Sequence, residues 1–212
     1  MIINWRYNNH GDERENIKKL IYEKQYKTID VGASARYWSY PECRFILDSM
    51  NVVEKDIHHF VVNIENSNEW SQIFDYVEKN GKFDFSICSH TLEDVFNPTE
   101  LIKNLEKISH RGYIAIPSKF NEFKKLYNNQ YRGDAHHKQL FDMVDNVLTI
   151  FPKYSWIEVD KRSDNFVDSN FGNELTLFWE NEIPFRIFGN GKPFIGDDTL
   201  INEYYKELQK NI

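Results

Sequence analysis

The stretch YRGDAHHKQLF, residues 131–141, concentrates side chains that can move protons or bind a metal. A histidine titrates at about pH 6.5, so His136 or His137 can act as a general base on a hydroxyl or amine group of a substrate. Neighbouring residues on a strand point to opposite faces, and one metal ion therefore seldom binds both histidines. We predict a catalytic histidine and no metal site. The alternatives are two ordinary strand-edge histidines, or a metal bound by one of them with Asp134 or Glu93.

A second candidate site begins in TIDVGAS, residues 28–34, where a short apolar run ends at a glycine. Asp30 can orient the following loop or receive the ammonium group of a ligand. Gly32 permits a positive φ or a close approach of the backbone, and the Ser34 hydroxyl can donate to a carboxylate. Asp48 ends the next apolar run and can accept hydrogen bonds from both hydroxyls of a ribose. A purely structural turn and a solvated carboxylate are the alternatives.

The elements that must position these residues alternate between apolar strands and amphipathic helices up to about residue 120. Strands are predicted at 28–31, 43–47, 59–64, 83–89 and 113–116, and helices at 12–24, at 69–79 and after residue 97. Asn97, followed by Pro98 and Glu100, is predicted to cap the last of these helices. Such alternation is typical of βαβ units that form a parallel sheet, which binds ligands at the carboxyl ends of its strands.

The remainder of the chain has a different pattern. A hairpin is predicted at 139–144 and 147–151, a further strand pair at 175–179 and 185–188, and a terminal helix at 197–210. We expect these antiparallel pieces to extend the sheet or to cap its ligand edge. The predicted fold class is α/β, with a Rossmann-like, mostly parallel sheet flanked by helices and antiparallel strands added in the C-terminal part.

Composition narrows the class of partner. The net charge of −7 argues against general nucleic-acid binding, which depends on basic patches. No window contains the roughly 18 apolar residues that a membrane span needs, and the N-terminus lacks the pattern of a signal peptide. We therefore expect a cytoplasmic protein without a membrane partner, while the oligomeric state stays open.

The two cysteines, Cys43 and Cys88, are expected to be buried free thiols.

Four segments together resemble the class I S-adenosylmethionine-dependent methyltransferases, in particular those of type 11. They are TIDVGAS, FVVNIENSNEW, FDFSICSHTLEDVFNPTELIKNLEKI and RGYIAIPSKF. The third segment, followed by Gly112 and a strand, matches in order and spacing the family's fourth strand, loop, helix and fifth strand. The resemblance covers residues 25–120, which would form the cofactor-binding core of a single domain, 1–212. Residues 121–212 would complete the sheet and cap the acceptor site.

The resemblance implies S-adenosylmethionine as the cofactor. The positions that it assigns are Asp30, Gly32, Ala33 and Ser34 along the methionine part, Asp48 at the ribose, Asn63 and Ile64 at the adenine, and Ser89 and His90 at the sulfonium. Glu93 stands where the family often has an acidic residue that supports the loop, and we count it with His136 and His137 among the candidate catalytic residues. The family's usual G-x-G-x-G is reduced here to Gly32-Ala33-Ser34-Ala35-Arg36.

These observations lead us to expect a methyltransferase that acts on a small-molecule or sugar-like acceptor, with a histidine as general base. Lys119 and Arg132 are candidates for binding an anionic acceptor. One alternative is an altered or non-catalytic member of the family that binds a nucleotide-like ligand or a partner protein. A lower-ranked alternative is a metal-assisted hydrolase that uses His136 and His137.

Overall fold

The computed structural model describes residues 1–34, 38–50, 56–126, 131–166, 171–191 and 198–211, so Ala35 and Arg36 of the predicted loop lie outside the described residues. Its strands are β1 (Ile2–Asn8), β2 (Thr28–Val31), β3 (Phe45–Asp48), β4 (His58–Val61), β5 (Phe85–Ser89), β6 (Arg111–Pro117), β7 (Lys125–Leu126), β8 (Tyr131–Arg132), β9 (Gln139–Val144), β10 (Val147–Pro152), β11 (Glu174–Glu180) and β12 (Phe185–Ile187). Its helices are α1 (Arg14–Lys24), α2 (Ser71–Asn80), α3 (Pro98–Ile108), α4 (Lys119–Phe123) and α5 (Asp198–Leu208).

A seven-stranded sheet with the order β1-β11-β6-β5-β2-β3-β4 forms the centre of the protein. Strands β2 to β6 all pair in parallel, while β11 runs antiparallel between β1 and β6. The chain first builds outward from β2 through β3 to β4, then crosses back to β5 on the other side of β2. The strand order therefore reverses between β2 and β5, and the predicted fold class is confirmed.

Helices cover both faces of this sheet because its central strands are apolar on both sides. Ile17 and Ile21 of α1 pack on one face against Phe85 and Ile87 of β5. The other face packs against apolar residues of α2 and α3, among them Ile73, Leu101, Ile102, Leu105 and Ile108. No helix in the described part of the chain is both long enough and apolar enough to cross a membrane.

The start of α3 follows the predicted pattern. The Asn97 side chain accepts a hydrogen bond from the backbone N–H of Glu100 at 3.3 Å, and Pro98 is the first residue of the helix. Pro98 fits there because the first turn of a helix does not use its own N–H groups. The predicted cap is confirmed, and it fixes where the loop after β5 ends.

Strand β1 was not predicted from the sequence, although its residues alternate. Ile2 is 6% exposed and Ile3 is 59% exposed, as expected for an edge strand that covers one face of the sheet. Because β1 and β6 both run antiparallel to β11, β1 points in the same direction as the parallel strands. Its carboxyl end, and with it His10, therefore lies at the ligand edge of the sheet.

The hairpin of β9 and β10 is confirmed, but the prediction for β11 and β12 is wrong. Strand β12 pairs in parallel with β10, giving a separate three-stranded sheet. A strand has only two edges, and those of β11 are already occupied by β1 and β6. The smaller sheet packs against α5 through a second core that includes Leu140, Val144, Phe151 and Tyr204.

A buried ion pair joins the smaller sheet to the larger one. Lys119, the first residue of α4, is 0% exposed, and its Nζ donates to Oδ2 of Asp142 on β9 at 2.7 Å and also to the backbone carbonyl of Leu208. Lys119 is thus a structural residue. Arg132 is 2% exposed and donates to Phe123 and Asp164. The expectation that these two cations bind an anionic acceptor is wrong, since burial commits both to internal partners.

Both cysteines are buried free thiols, as predicted. Cys43 is 0% exposed and Cys88 is 1% exposed. Burial raises the pKa of each thiol, because a thiolate is poorly solvated there. Neither thiol is therefore a candidate nucleophile.

Candidate functional site

Two adjoining cavities open at the carboxyl edge of the large sheet. The first, which we name the switch-point cavity, has a volume of about 260 Å³. Its wall includes six of the residues predicted from the sequence, namely Asp30, Gly32, Ala33, Ser34, Ser89 and His90. It lies where the strand order reverses between β2 and β5, which is where open α/β sheets bind their ligands. The structure therefore brings the core of the predicted cofactor loop together.

Gly32 is required at its position for two reasons. Its φ is +76°, a conformation that strains any residue with a Cβ. A Cβ built there would lie 2.2 Å from Oγ1 and 2.6 Å from Cγ2 of Thr91. The loop after β2 therefore packs directly on the loop after β5, which confirms both properties predicted for this glycine.

Two other residues in the wall of this cavity have strained backbones. Ser34 has a φ of 53° and His90 a φ of 52°. Residues other than glycine seldom adopt positive φ, and those that do cluster at turns and functional sites. Ser34 thus takes up a glycine-like conformation in a loop that has only one glycine before it.

Asp30 carries a carboxyl group that is almost fully buried in the wall of the switch-point cavity. It is 2% exposed, and its Oδ2 accepts a hydrogen bond from the Ser39 hydroxyl at 2.6 Å. Burial, reinforced by the nearby charge of Asp48, raises the pKa of Asp30 to about 7, although the bond from Ser39 acts in the opposite direction. The group is therefore poised to ionise when a cation arrives.

Asp48 lies beside the cavity and holds its loop. Its Oδ2 accepts from the backbone N–H of Ser34 at 3.0 Å, and its Oδ1 accepts from the N–H of Met50 at 2.7 Å. Each oxygen keeps a second acceptor site, as carboxylates do. Its predicted part in binding a ribose stays a prediction.

Asn63 and Ile64 follow β4 at the same edge of the sheet, further from the strand reversal and outside the residues that line the switch-point cavity. The N–H of Asn63 donates to Glu69 at 2.6 Å, and the carbonyl of Ile64 accepts from the Trp70 indole at 3.1 Å. These bonds shape the loop after β4. Contact of either residue with an adenine stays a prediction.

The second cavity, which we name the histidine cavity, has a volume of about 400 Å³. All three predicted catalytic residues, Glu93, His136 and His137, line it. His10 and His90 line both cavities and so form the boundary between them. A ligand in one cavity would therefore lie next to a ligand in the other.

His90 is fixed between two buried carboxylates. Its Nε2 lies 2.6 Å from Oε1 of Glu174, and its Nδ1 lies 3.3 Å from Oε1 of Glu93. Burial lowers the pKa of His90, but the hydrogen bond with Glu174 and the negative charges of Glu174 and Glu93 outweigh it and raise that pKa to about 9. The same Glu174 oxygen lies 3.2 Å from Nδ1 of His10. The boundary thus carries an imidazolium held by carboxylates at neutral pH.

His136 and His137 do not lie on a strand, which corrects the expectation that they diverge. They are the last two residues of a turn in which the N–H of His137 donates to the carbonyl of Asp134 at 3.2 Å, and β9 begins only at Gln139. Both rings face the same cavity, with centroids 4.5 Å apart. The expectation was wrong because side chains alternate between two faces only in a strand, and these two residues lie in a turn.

His137 is oriented by a buried carboxylate. It is 9% exposed, and its Nδ1 lies 2.7 Å from Oε1 of Glu122 on α4. Glu122 also accepts from Nζ of Lys153 at 2.7 Å. This arrangement assigns the proton to Nδ1 and leaves the lone pair of Nε2 facing the cavity. Negative charge at Glu122 raises the pKa of His137 despite the opposing effect of burial.

Several residues of the two cavities were missed in the sequence. They are His10, Arg14, Asn121 and Asn173, and Glu174, which holds His90 from behind, was missed as well. His10 follows β1 directly and would have been found by the rule that ligands bind beyond strand ends, had β1 been recognised. Glu174 begins an antiparallel strand, so the same rule does not point to it.

No protein-family model and no curated protein matches the chain. Solved structures do match. The methyltransferase domain of bacterial CtHen1-CN aligns over 82% of this chain and 100% of that one, with 10% identity and a TM-score of 0.45. A possible histamine N-methyltransferase from Thermotoga maritima aligns over 80% of this chain and 89% of its own, with 10% identity and a TM-score of 0.40. The N-terminal domain of EvdMO1 in the presence of SAH and D-fucose aligns over 94% of this chain and 74% of its own, with 10% identity and a TM-score of 0.37. SAM-dependent methyltransferases are thus among the structures to which this chain is similar, and at 10% identity the likeness concerns the fold alone.

Gly32→Ala should lower the free energy of unfolding by about 2–4 kcal/mol, since it combines a strained φ with overpacking against Thr91. Adding Thr91→Ala removes the two closest atoms and should restore part of the loss. Urea denaturation of the wild type, both single variants and the double variant measures the coupling. If the loss of stability in the double variant equals the sum of the losses in the two single variants, the contact with Thr91 is unimportant.

Asp30 should make the protein less stable as the pH rises from about 4 to about 7. In that window the folded protein keeps a proton, because the pKa of Asp30 is raised to about 7, whereas the unfolded chain has lost it near 3.8. At about 1.4 kcal/mol per pH unit, the loss reaches about 4 kcal/mol. Asp30→Asn should remove this loss. Urea denaturation of both proteins at pH 4 and pH 8 measures this loss. The prediction is contradicted if the stability of the two proteins changes with pH in the same way.

Proposed function

We propose that this protein is a methyltransferase that uses S-adenosylmethionine and a small-molecule or sugar-like acceptor. The observation that carries the proposal is the pair of cavities at the strand reversal, which share His10 and His90 as their common wall. Group transfer needs two ligands held side by side with water excluded between them. One cavity for the cofactor and an adjoining one for the acceptor meet that need.

The charges of the switch-point cavity suit the methionine part of the cofactor. Asp30 can bind its ammonium group, and Arg14 in the same wall can bind its carboxylate. Gly32 lets the loop after β2 pack on Thr91 with a positive φ, which gives this cavity its shape. The reactive methyl group belongs to the cofactor, so the protein has to align the two ligands and exclude water.

The polar lining of the histidine cavity suits an acceptor with hydroxyl or amine groups. Asn121 and Asn173 add hydrogen-bonding amides to the carboxylates and histidines there. His137 is our candidate for the histidine that prepares the acceptor, since Glu122 holds its Nδ1 and leaves Nε2 directed at the ligand. As a general base, Nε2 would take the proton that the acceptor loses. His136 is more exposed and has no comparable partner among the contacts described.

Calorimetry should show that both S-adenosylmethionine and its demethylated product bind, with release of a proton at about pH 6. The proton comes from Asp30, whose pKa of about 7 falls when the ammonium group arrives. Repeating the titration in buffers of different ionisation enthalpy gives the number of protons released. The Asp30→Asn variant should bind the cofactor without releasing a proton. Failure of both compounds to bind at millimolar concentration would refute the proposed function.

His137→Ala should reduce methyl transfer about 100-fold or more and leave the affinity for the cofactor unchanged, because His137 lines only the histidine cavity. Transfer of a labelled methyl group to a panel of small polyhydroxyl and amine compounds measures the first effect, and calorimetry the second. His58→Ala, an exposed member of the other adjacent histidine pair of the chain, is the matched control. If His137→Ala lowers the affinity for the cofactor as much as it lowers methyl transfer, His137 acts on the structure as a whole and not on the acceptor.

A further inference from the structure

Three potential metal ligands meet in the histidine cavity. One ligand atom from each of Asp94, His136 and His137 lies within 4.8 Å of the other two. Oδ1 of Asp94 is 3.6 Å from Nε2 of His136 and 4.0 Å from Nε2 of His137. These separations are too long for hydrogen bonds. Two ligands on one tetrahedral metal, each about 2.1 Å from it, would be about 3.4 Å apart, so small side-chain adjustments suffice.

Buried oxygen atoms beside the cluster lack hydrogen-bond donors. Both carboxylate oxygens of Glu93 and Oδ1 of Asp94 are buried without a hydrogen bond. Glu93 is 1% exposed, and its Oε1 lies 3.3 Å from Nδ1 of His90. A buried carboxylate whose one ion-pair partner is shared with Glu174 is costly. A cation in the cavity would compensate this negative charge.

The surroundings of His137 are those of a metal ligand. Histidines that bind a metal through one ring nitrogen commonly donate from the other to a carboxylate, which fixes the tautomer and the ring orientation. Nδ1 of His137 is held in this way by Glu122, which Lys153 holds in turn. Nε2 lies 4.0 Å from Oδ1 of Asp94 and 3.9 Å from Oδ2 of Asp134.

We propose that Asp94, His136 and His137 bind a divalent transition metal ion in the histidine cavity, with Glu93 beside it. Two imidazoles and a carboxylate favour zinc, manganese or iron over magnesium or calcium, which prefer all-oxygen sites. Three protein ligands leave at least one coordination position open, as in catalytic rather than structural metal sites.

The other cluster of similar composition fits a metal less well. His10, His90 and Glu174 also bring their ligand atoms within 4.8 Å of one another. However, Nε2 of His90 is 2.6 Å from Glu174, which is a hydrogen bond, so these groups already satisfy each other. The geometry therefore selects the cluster around Asp94.

The metal would have a role in catalysis that rests on the proposed function. An acceptor oxygen could take the open position, where the ion lowers the pKa of its hydroxyl so that the proton passes to water. The oxygen would then attack the methyl group of the cofactor, and the demethylated cofactor would be the leaving group. Nε2 of His137 would then be a ligand and could not also serve as the base, since it has one lone pair. Removal of the metal separates the two roles, because a histidine base would remain active without it.

Metal binding is tested directly on the full chain, first stripped with a chelator and then titrated with zinc and with manganese. We expect one ion per chain. Asp94→Asn, His136→Ala and His137→Ala should each weaken binding more than 10-fold, and Glu122→Gln should weaken it 10- to 100-fold through the orientation of His137. Unchanged affinity in the three ligand variants, checked for folding by circular dichroism, would overturn the proposal.

Two control variants show where the ion binds. The double variant His58→Ala/His59→Ala removes the other adjacent histidine pair and should retain full affinity, as should His10→Ala. If His10→Ala abolishes binding instead, the metal occupies the other cluster and the proposal is wrong. Calorimetry of the stripped protein with S-adenosylmethionine distinguishes the two proposals. Cofactor binding without metal binding overturns only the metal site, and metal binding without cofactor binding overturns only the proposed function.

Discussion

The ion pair between His90 and Glu174 is the contact around which the candidate site is organised. Glu174 begins β11 and His90 follows β5, so their 2.6 Å hydrogen bond joins two strands that are not neighbours in the sheet. His10 after β1 shares the same carboxylate oxygen. Three separate parts of the chain thus meet at one buried carboxylate, and the wall between the two cavities exists because they do.

The unusual backbone of the site follows from the same convergence. The loops after β2 and β5 come so close that Gly32 touches Thr91 without space for a Cβ. Ser34 and His90, on either side of this contact, both have positive φ. Strained conformations persist only where the surrounding structure imposes them. A loop with a single glycine can therefore adopt its shape because Asp48 and the loop after β5 hold it.

Local patterns were sufficient for most of the parallel core. The helix cap at Asn97, the apolar strand ending at Gly32 and the hairpin of β9 and β10 were predicted correctly, because each depends on residues near one another in sequence. The pairing of β12 was predicted wrongly, since strand partners depend on which edges remain free. Lys119 was misjudged for a similar reason, because its partner Asp142 comes from a distant strand.

The sequence by itself determined the α/β class, the ligand edge and most of the residues that line the switch-point cavity, because strand ends and turns are encoded locally. Only the tertiary structure decided that β1 joins the sheet beside β11 and brings His10 to that edge. It also decided that a turn, not a strand, presents His136 and His137 to the same cavity as Glu93. The physical reason is that contacts between distant segments depend on how complete elements pack, and no local pattern carries that information.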